Sequence, residues 1–232
     1  MPRKKEEWRH EVNRNEILRI ARRHMAEGGA VALSLRSIAA EMNLSAPALY
    51  RYFPSRDDII TALIIEAFYA IADAMDTARR SQPPDDFNAQ MLAITLAYRE
   101  WAITHPTDFA LIYGNPIPGY VAPAEQTIPA ARRGFVVVID TLTKAAESGQ
   151  ALQFGREIRP PPSIAEYLQY LAQRDAYSVP LSALYAAVSV WSRMHGIIML
   201  EIFQHIQPVI GDVEAFYHSE MLTTLRQFGL QV

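Results

Sequence analysis

From about residue 13 onward, apolar residues recur every three or four positions along almost the whole chain, and no run of alternating β-branched residues bounded by tight turns interrupts them. Side chains three or four apart share one face of an α-helix, whereas a half-buried strand needs a period of two. The spacing therefore predicts an all-α protein. A first helix is expected over 13–27, where Ile17, Ile20, Ala21, His24 and Met25 form a stripe and Gly28-Gly29 follow as a stop. A short second helix opens at Ser34, a suitable N-cap, with Leu35, Ile38, Ala39 and Met42 at i, i+3, i+4 and i+7. Asn43 ends it. Ser45 caps a third helix reaching about Tyr52, which accommodates Pro47 because a first-turn amide is unpaired anyway. Beyond Pro54-Ser55 a long helix is expected from Arg56 into the seventies, with Asp57 and Asp58 in the first turn, where the helix dipole favours acids.

Farther on, Ser81-Gln82-Pro83-Pro84 reads as a linker, Asp86 as the cap of a helix reaching His105, and Pro106 as the start of a shorter helix ending near Gly114. Pro116, Pro118, Gly119, Pro123 and Pro129 predict a loop over 115–129. A helix over 130–148, a second loop over 155–162 and helices over 163–177, 179–205 and 212–228 complete the expected order. The 232-residue length suits a small module joined to a larger one. No stretch approaches the roughly 18 uninterrupted apolar residues of a membrane span. The polar start, Met1 to Arg9, predicts neither a secretory signal nor an anchor. With no cysteine, disulfides and thiolate metal sites are excluded, which fits a cytoplasmic protein.

The net charge of -3 is unevenly spread: residues 1–60 carry 11 Lys and Arg against 8 Asp and Glu, and residues 61–232 carry 11 against 17. The mildly basic first part hints at an anionic partner. It also holds two short helices joined by Asn43-Leu44, an arrangement the DNA major groove admits. The second of them presents Ser45, Ala46, Pro47, Ala48, Tyr50, Arg51 and Tyr52. Small side chains let a helix approach base edges, phenols and guanidinium groups donate to phosphates, and the methyls of Ala46 or Ala48 suit a thymine methyl. Leu35, Ile38, Ala39, Leu49 and Phe53 fall on the buried face. Arg3, Lys4 and Lys5 form either a solvated tail or an arm that tracks phosphates or the minor groove.

The segment from Leu33 to Arg56 resembles the signature of the TetR family of regulators: Ile38-Ala39 in the first helix of the pair, Leu44-Ser45 at the turn, Leu49-Tyr50 and Tyr52-Phe53 in the recognition helix, and a basic residue opening the next helix. The resemblance implies that Tyr50 and Tyr52 contact phosphates, that Arg36, beside the candidate Ser34, reaches a base or phosphate, and that Arg56 grips the backbone. Two positions depart from the pattern. Asn43 stands where glycine is usual, a tolerable change because asparagine also adopts the left-handed conformation, and Arg56 replaces lysine with a different hydrogen-bond geometry. The expected organisation is a DNA-binding domain over 1–56 and an effector-binding and dimerisation domain over 57–232. As the resemblance has it, the protein is a homodimeric repressor of a pseudo-palindromic double-stranded DNA operator, released by a small-molecule effector.

The 179–205 helix is apolar nearly all round, so burial on every side is expected, one face against a neighbouring helix layer or pocket and another against a second subunit. A second stripe runs through Val213, Phe216, Tyr217, Met221, Leu225 and Phe228. The two helices either pair across a two-fold axis as a four-helix bundle or serve only the core of their own chain. Trp191, His195 and Gly196 resemble the tryptophan, histidine, glycine pattern of one C-terminal domain class of the family. Gly196 is read as permitting close helix approach or a local irregularity. Tyr98, Trp101, Phe109, Tyr113, Trp191, Met194 and His195 are candidate contacts for a mostly apolar ligand. Nucleophile-elbow, zinc and phosphate-loop patterns are absent, so no enzyme, cofactor or metal is expected. Glu201 and His205, four apart, read as an exposed helical ion pair. The rival reading, a helical adaptor for another protein, leaves the 33–56 signature unexplained.

Overall fold

Helical spacing becomes helix throughout. A computed structural model of the chain describes residues 2–149, 160–174 and 179–232, with side chains from residue 11 onward, and among these residues every regular element is helical. In chain order they are α1 (Pro2–Gly28), α2 (Leu35–Glu41), α3 (Ala46–Tyr50), α4 (Arg56–Arg80), α5 (Phe87–Thr104), α6 (Pro106–Tyr113), α7 (Ala124–Glu147), α8 (Pro162–Arg174), α9 (Leu181–Ile202), α10 (Gln207–Ile210) and α11 (Val213–Gln227). A single 3-10 turn, Ala30–Ala32, lies between α1 and α2. The expected loop over 155–162 and the end of the 163–177 helix fall partly outside the described residues, as do the side chains of Arg3, Lys4 and Lys5.

Three differences from the sequence reading have physical causes. Helix α1 starts at Pro2 rather than near residue 13; its first turns are charged and polar, and periodicity detects only a helix that buries a face. Helix α7 starts at Ala124 and takes Pro129 into its second turn. Proline there removes one backbone bond, to the carbonyl of Glu125, and that residue is exposed to water. The carbonyl of Pro123 receives the first bonds of the helix, from the amides of Gln126 and Thr127, both at 3.0 Å. The short turn Ala30–Ala32 and α10 carry no apolar stripe and were not foreseen.

The helices form two compact units. Unit 1 comprises Met1–Phe68 and His105–Ala131, and unit 2 comprises Tyr69–Thr104 and Arg132–Val232. This division follows packing, whereas the boundary expected at residue 56 divides roles. The core of unit 1 gathers Ile17, Leu18 and Ala21 from α1, Ile38 from α2, Leu49 from α3, and Ile59, Ile60 and Leu63 from α4. Leu111, Ile112, Ile117 and Tyr120 pack against it. Ion pairs bind the elements at its margin: Arg22 of α1 meets Glu66 of α4 at 2.8 Å and Asp108 of α6 at 3.1 Å.

In unit 2, α11 packs on α9 and α5, and α8 packs on α9. The α11 stripe, Val213, Tyr217, Met221, Leu225 and Phe228, is buried within the chain itself. The Tyr217 hydroxyl donates to the carbonyl of Thr95 at 2.7 Å, and burial pushes its pKa far up. Helix α9 has the length and apolar composition of a membrane crossing, yet eight of its residues are buried in this unit. Within its own chain it leaves Leu200, and Phe203 just past its end, exposed. Glu201 is not an exposed partner of His205; the Arg99 guanidinium grips it through two bonds, at 2.8 and 2.6 Å, with both side chains nearly buried. Helix α9 ends at Ile202, because Gln204 turns to φ 61°.

Candidate nucleic-acid interface

The helix pair is built by local backbone chemistry. Ser34 caps α2, its hydroxyl accepting from the Ser37 amide at 3.4 Å, and Ser45 caps α3 by accepting from the Ala48 amide at 3.4 Å. Between them Asn43 adopts φ 53°. The Leu44 amide reaches back to the Ala39 carbonyl at 2.8 Å and the Asn43 amide to Ala40 at 3.1 Å. That double bond pattern closes a helix on a left-handed residue and fixes the direction in which the next helix leaves. Asparagine thus does the work usually done by glycine at the turn.

The apolar residues assigned to the core are there: Leu35, Ile38, Ala39, Leu49 and Phe53 are all buried. Their burial anchors α3 and leaves its other face open. Arg36, Ser45, Pro47, Tyr50 and Arg51 are exposed, while Ser34, Ala46, Ala48, Tyr52 and Arg56 are half-buried. Nine of the ten sequence-named groups lie on α2, α3, their caps and the start of α4, and Tyr52 lies in the turn after α3, which ends at Tyr50 rather than near Tyr52; all are within unit 1.

Two of the ten are held by partners that spacing did not foresee. The Tyr52 hydroxyl accepts from Asn13 Nδ2 at 2.8 Å, and Arg56 Nη2 donates to the Ala30 carbonyl at 2.8 Å. Arg14 lies over the Phe53 ring, 5.2 Å from its centroid. Arg23 and His24 of α1 both hold Glu41 at the end of α2, His24 at 3.2 Å. The Arg23 bond keeps the Glu41 carboxyl below the usual range, against a smaller effect of desolvation. These α1 groups orient the pair, and no local signal finds them, because Asn13 and Tyr52 are 39 positions apart.

The seven ligand candidates are divided between the two units. Phe109 and Tyr113 lie in unit 1, their rings 5.1 Å apart, with Tyr113 edge-on to Phe68. Tyr98, Trp101, Trp191, Met194 and His195 lie in unit 2. Of these, Trp191 stacks on His195 with centroids 5.2 Å apart, and the Tyr98 hydroxyl lies 3.4 Å from His195 Nδ1. Burial lowers the His195 pKa. Trp101 and Met194 are buried, and a Cβ built on Gly196 would meet no heavy atom within 4 Å, so this glycine permits no close approach inside its own chain.

Comparison with known proteins places both parts of the chain. Residues 17–63 match the bacterial regulatory proteins of the tetR family, and residues 91–224 match the tetracyclin repressor-like C-terminal domain. The HTH-type transcriptional regulators Rv1816 of Mycobacterium tuberculosis and Mb1846 of Mycobacterium bovis are each 31% identical over 188 residues, 81% of this chain and 80% of theirs. The crystal structure of SCO4313 superposes with a TM-score of 0.79 at 32% identity, covering 95% of this chain and 98% of that one. The regulator PfmR from Thermus thermophilus shares the fold at 18% identity, with a TM-score of 0.59 over 90% of this chain and 97% of its own.

Proposed function

The chain belongs to the TetR family of DNA-binding transcriptional regulators, and from that premise we propose that it is a cytoplasmic homodimeric repressor released from its operator by a small, mostly apolar molecule. The observation that carries the reading is the capped pair α2–α3, which anchors Leu49 in the core and leaves Arg36, Ser45, Tyr50 and Arg51 open to a partner. In a major groove, Ser45, Ala46, Pro47 and Ala48 at the start of α3 approach base edges. Arg36, with Ser34, and the hydroxyls of Tyr50 and Tyr52 meet phosphates, as do Arg51 and Arg56. Arg56 retains donors beyond the one given to Ala30. The functional boundary proposed is residue 56, with DNA binding before it and effector binding and dimerisation after it.

Two-fold pairing sets the two recognition helices one helical turn of DNA apart, about 34 Å, over a pseudo-palindromic site. The exposed line Ser192, Gly196 and Leu200 on α9, continued by Phe203 at its C-cap, supports a seam between subunits, since the small residues allow a second helix to come close. Tyr98, Trp191 and His195 supply an aromatic and polar environment suited to a ligand, and Trp101, Met194, Phe109 and Tyr113 complete the candidate set. A ligand that prefers the DNA-incompetent state by about 1 to 3 kcal/mol changes DNA affinity roughly 5- to 150-fold.

The test is selection of duplexes from random DNA by the full-length protein, followed by fluorescence anisotropy of the selected site against a scrambled one at several salt concentrations. Selective binding with a steep salt slope and a two-fold symmetric site is expected. Equal weak binding to both duplexes would overturn the reading.

A further inference from the structure

Tyr52 is held at both ends, and the second hold comes from another helix. Its backbone amide donates to the Leu49 carbonyl at 2.8 Å, and Leu49 is wholly buried, so the turn after α3 is tied to the core of unit 1. A tyrosine tied only there still turns about its two side-chain bonds. The far end is fixed by α1: Asn13 Nδ2 donates to the phenol oxygen at 2.8 Å, and both residues are half-buried. Asn13 lies one helical turn before Ile17, which is wholly buried, and the two share a face of α1. Its neighbour Arg14 stands over the Phe53 ring, 5.2 Å from the centroid, and reaches Glu66 of α4 at 3.5 Å. The amide that holds the phenol is thus carried by a helix pinned on the core and on α4.

The polarity of this bond matters to a phosphate. The oxygens of a DNA phosphate only accept, so a phenol serves one by donating its proton. An amide N–H that donates to the phenol oxygen does not compete for that proton, whereas a carboxylate in its place would take it. Fixing the ring before DNA arrives also spares the entropy of ordering it on binding, which for one side chain amounts to roughly two- to twelvefold in affinity.

We propose that Asn13 is a positioning residue for DNA binding: without touching the operator it raises affinity through the Tyr52 hydroxyl alone, by holding the ring in place and donating to its oxygen. This rests on the phosphate contact proposed above for Tyr52, and it brings into DNA recognition a residue of α1 that lies outside the reading pair.

The experiment is a double-mutant cycle on the full-length protein, read by anisotropy of the selected operator duplex beside thermal melts. Tyr52→Phe should weaken binding about fivefold, the value of one hydrogen bond. Asn13→Ala should weaken it at least about threefold. In the Tyr52→Phe background the same change should add less than about twofold, whereas with Tyr50→Phe, on the exposed face of α3, the two losses should multiply. Asn13→Asp should weaken binding more than Asn13→Ala, and by a larger factor with the Tyr52 hydroxyl present than without it, because the carboxylate takes the phenol proton. The slope of affinity against salt should match the native protein's, since a neutral hydrogen bond releases no counterions. If melts show that Asn13→Ala is loosened, Asn13→Leu, which keeps the volume and removes the donor, is read in its place. An Asn13→Ala loss below about threefold, a loss equal in both backgrounds, an Asn13→Asp loss indifferent to the Tyr52 hydroxyl, or a flattened salt slope would each overturn the proposal. Tyr52→Phe alone tells which reading failed: if it weakens binding while Asn13→Ala does not, the phosphate contact stands and the positioning is wrong, and if it is silent both fall.

Discussion

Asn13 fixes the Tyr52 phenol, its side-chain amide donating to the hydroxyl oxygen at 2.8 Å across 39 positions of sequence. Arg36 and Tyr50, exposed and outside the core, have no such role in holding the fold. Arg36→Ala is expected to cost about 1 to 3 kcal/mol of operator affinity and Tyr50→Phe about 1 kcal/mol, with dimerisation and thermal stability unchanged. Anisotropy beside thermal melts checks this, and a folding defect in both variants would remove the assignment. His195 offers a pH test. Burial lowers its pKa from the ordinary 6.5, so the unfolded chain binds a proton more readily than the folded one. The stability from the neutral ring is complete above about pH 6.5 and is lost as pH falls through that value towards the folded pKa. Melting temperature should therefore drop between pH 7.5 and 5.5 in the native protein and drop less in His195→Gln.

At the scale of elements, the turn between α2 and α3 shows what capping chemistry controls. Asn43→Ala forces a side chain with no local hydrogen bond into φ 53° and should cost about 1 kcal/mol in urea denaturation, while Asn43→Gly should stay within a few tenths. Ser45→Ala removes the cap of α3 and should also cost about 1 kcal/mol. If Asn43→Ala were neutral, the turn would not depend on the left-handed residue. The caps Ser34, Ser45 and Asp86 were legible because each acts within three residues of itself. The start of α7 was not, since five proline and glycine positions suggested a loop and only the solvent around Glu125 makes Pro129 tolerable there.

For the whole molecule, the seam proposed on α9 gives a direct test. Leu200→Asp combined with Phe203→Asp places charges on the exposed line and should shift sedimentation from dimer to monomer, with operator affinity lowered by about tenfold or more as the second recognition helix is lost. A variant that remains dimeric would place the seam elsewhere. From residues alone came the all-α class, the order of the long helices, the capped reading pair and its buried face. These depend on neighbours three or four positions away, where helical geometry turns spacing into direction. Tertiary structure alone decided that the α11 stripe faces its own chain, that Glu201 belongs to Arg99, and that Asn13 holds Tyr52. Those partners lie tens to more than a hundred residues apart, and packing joins them through shape and charge that no local period records.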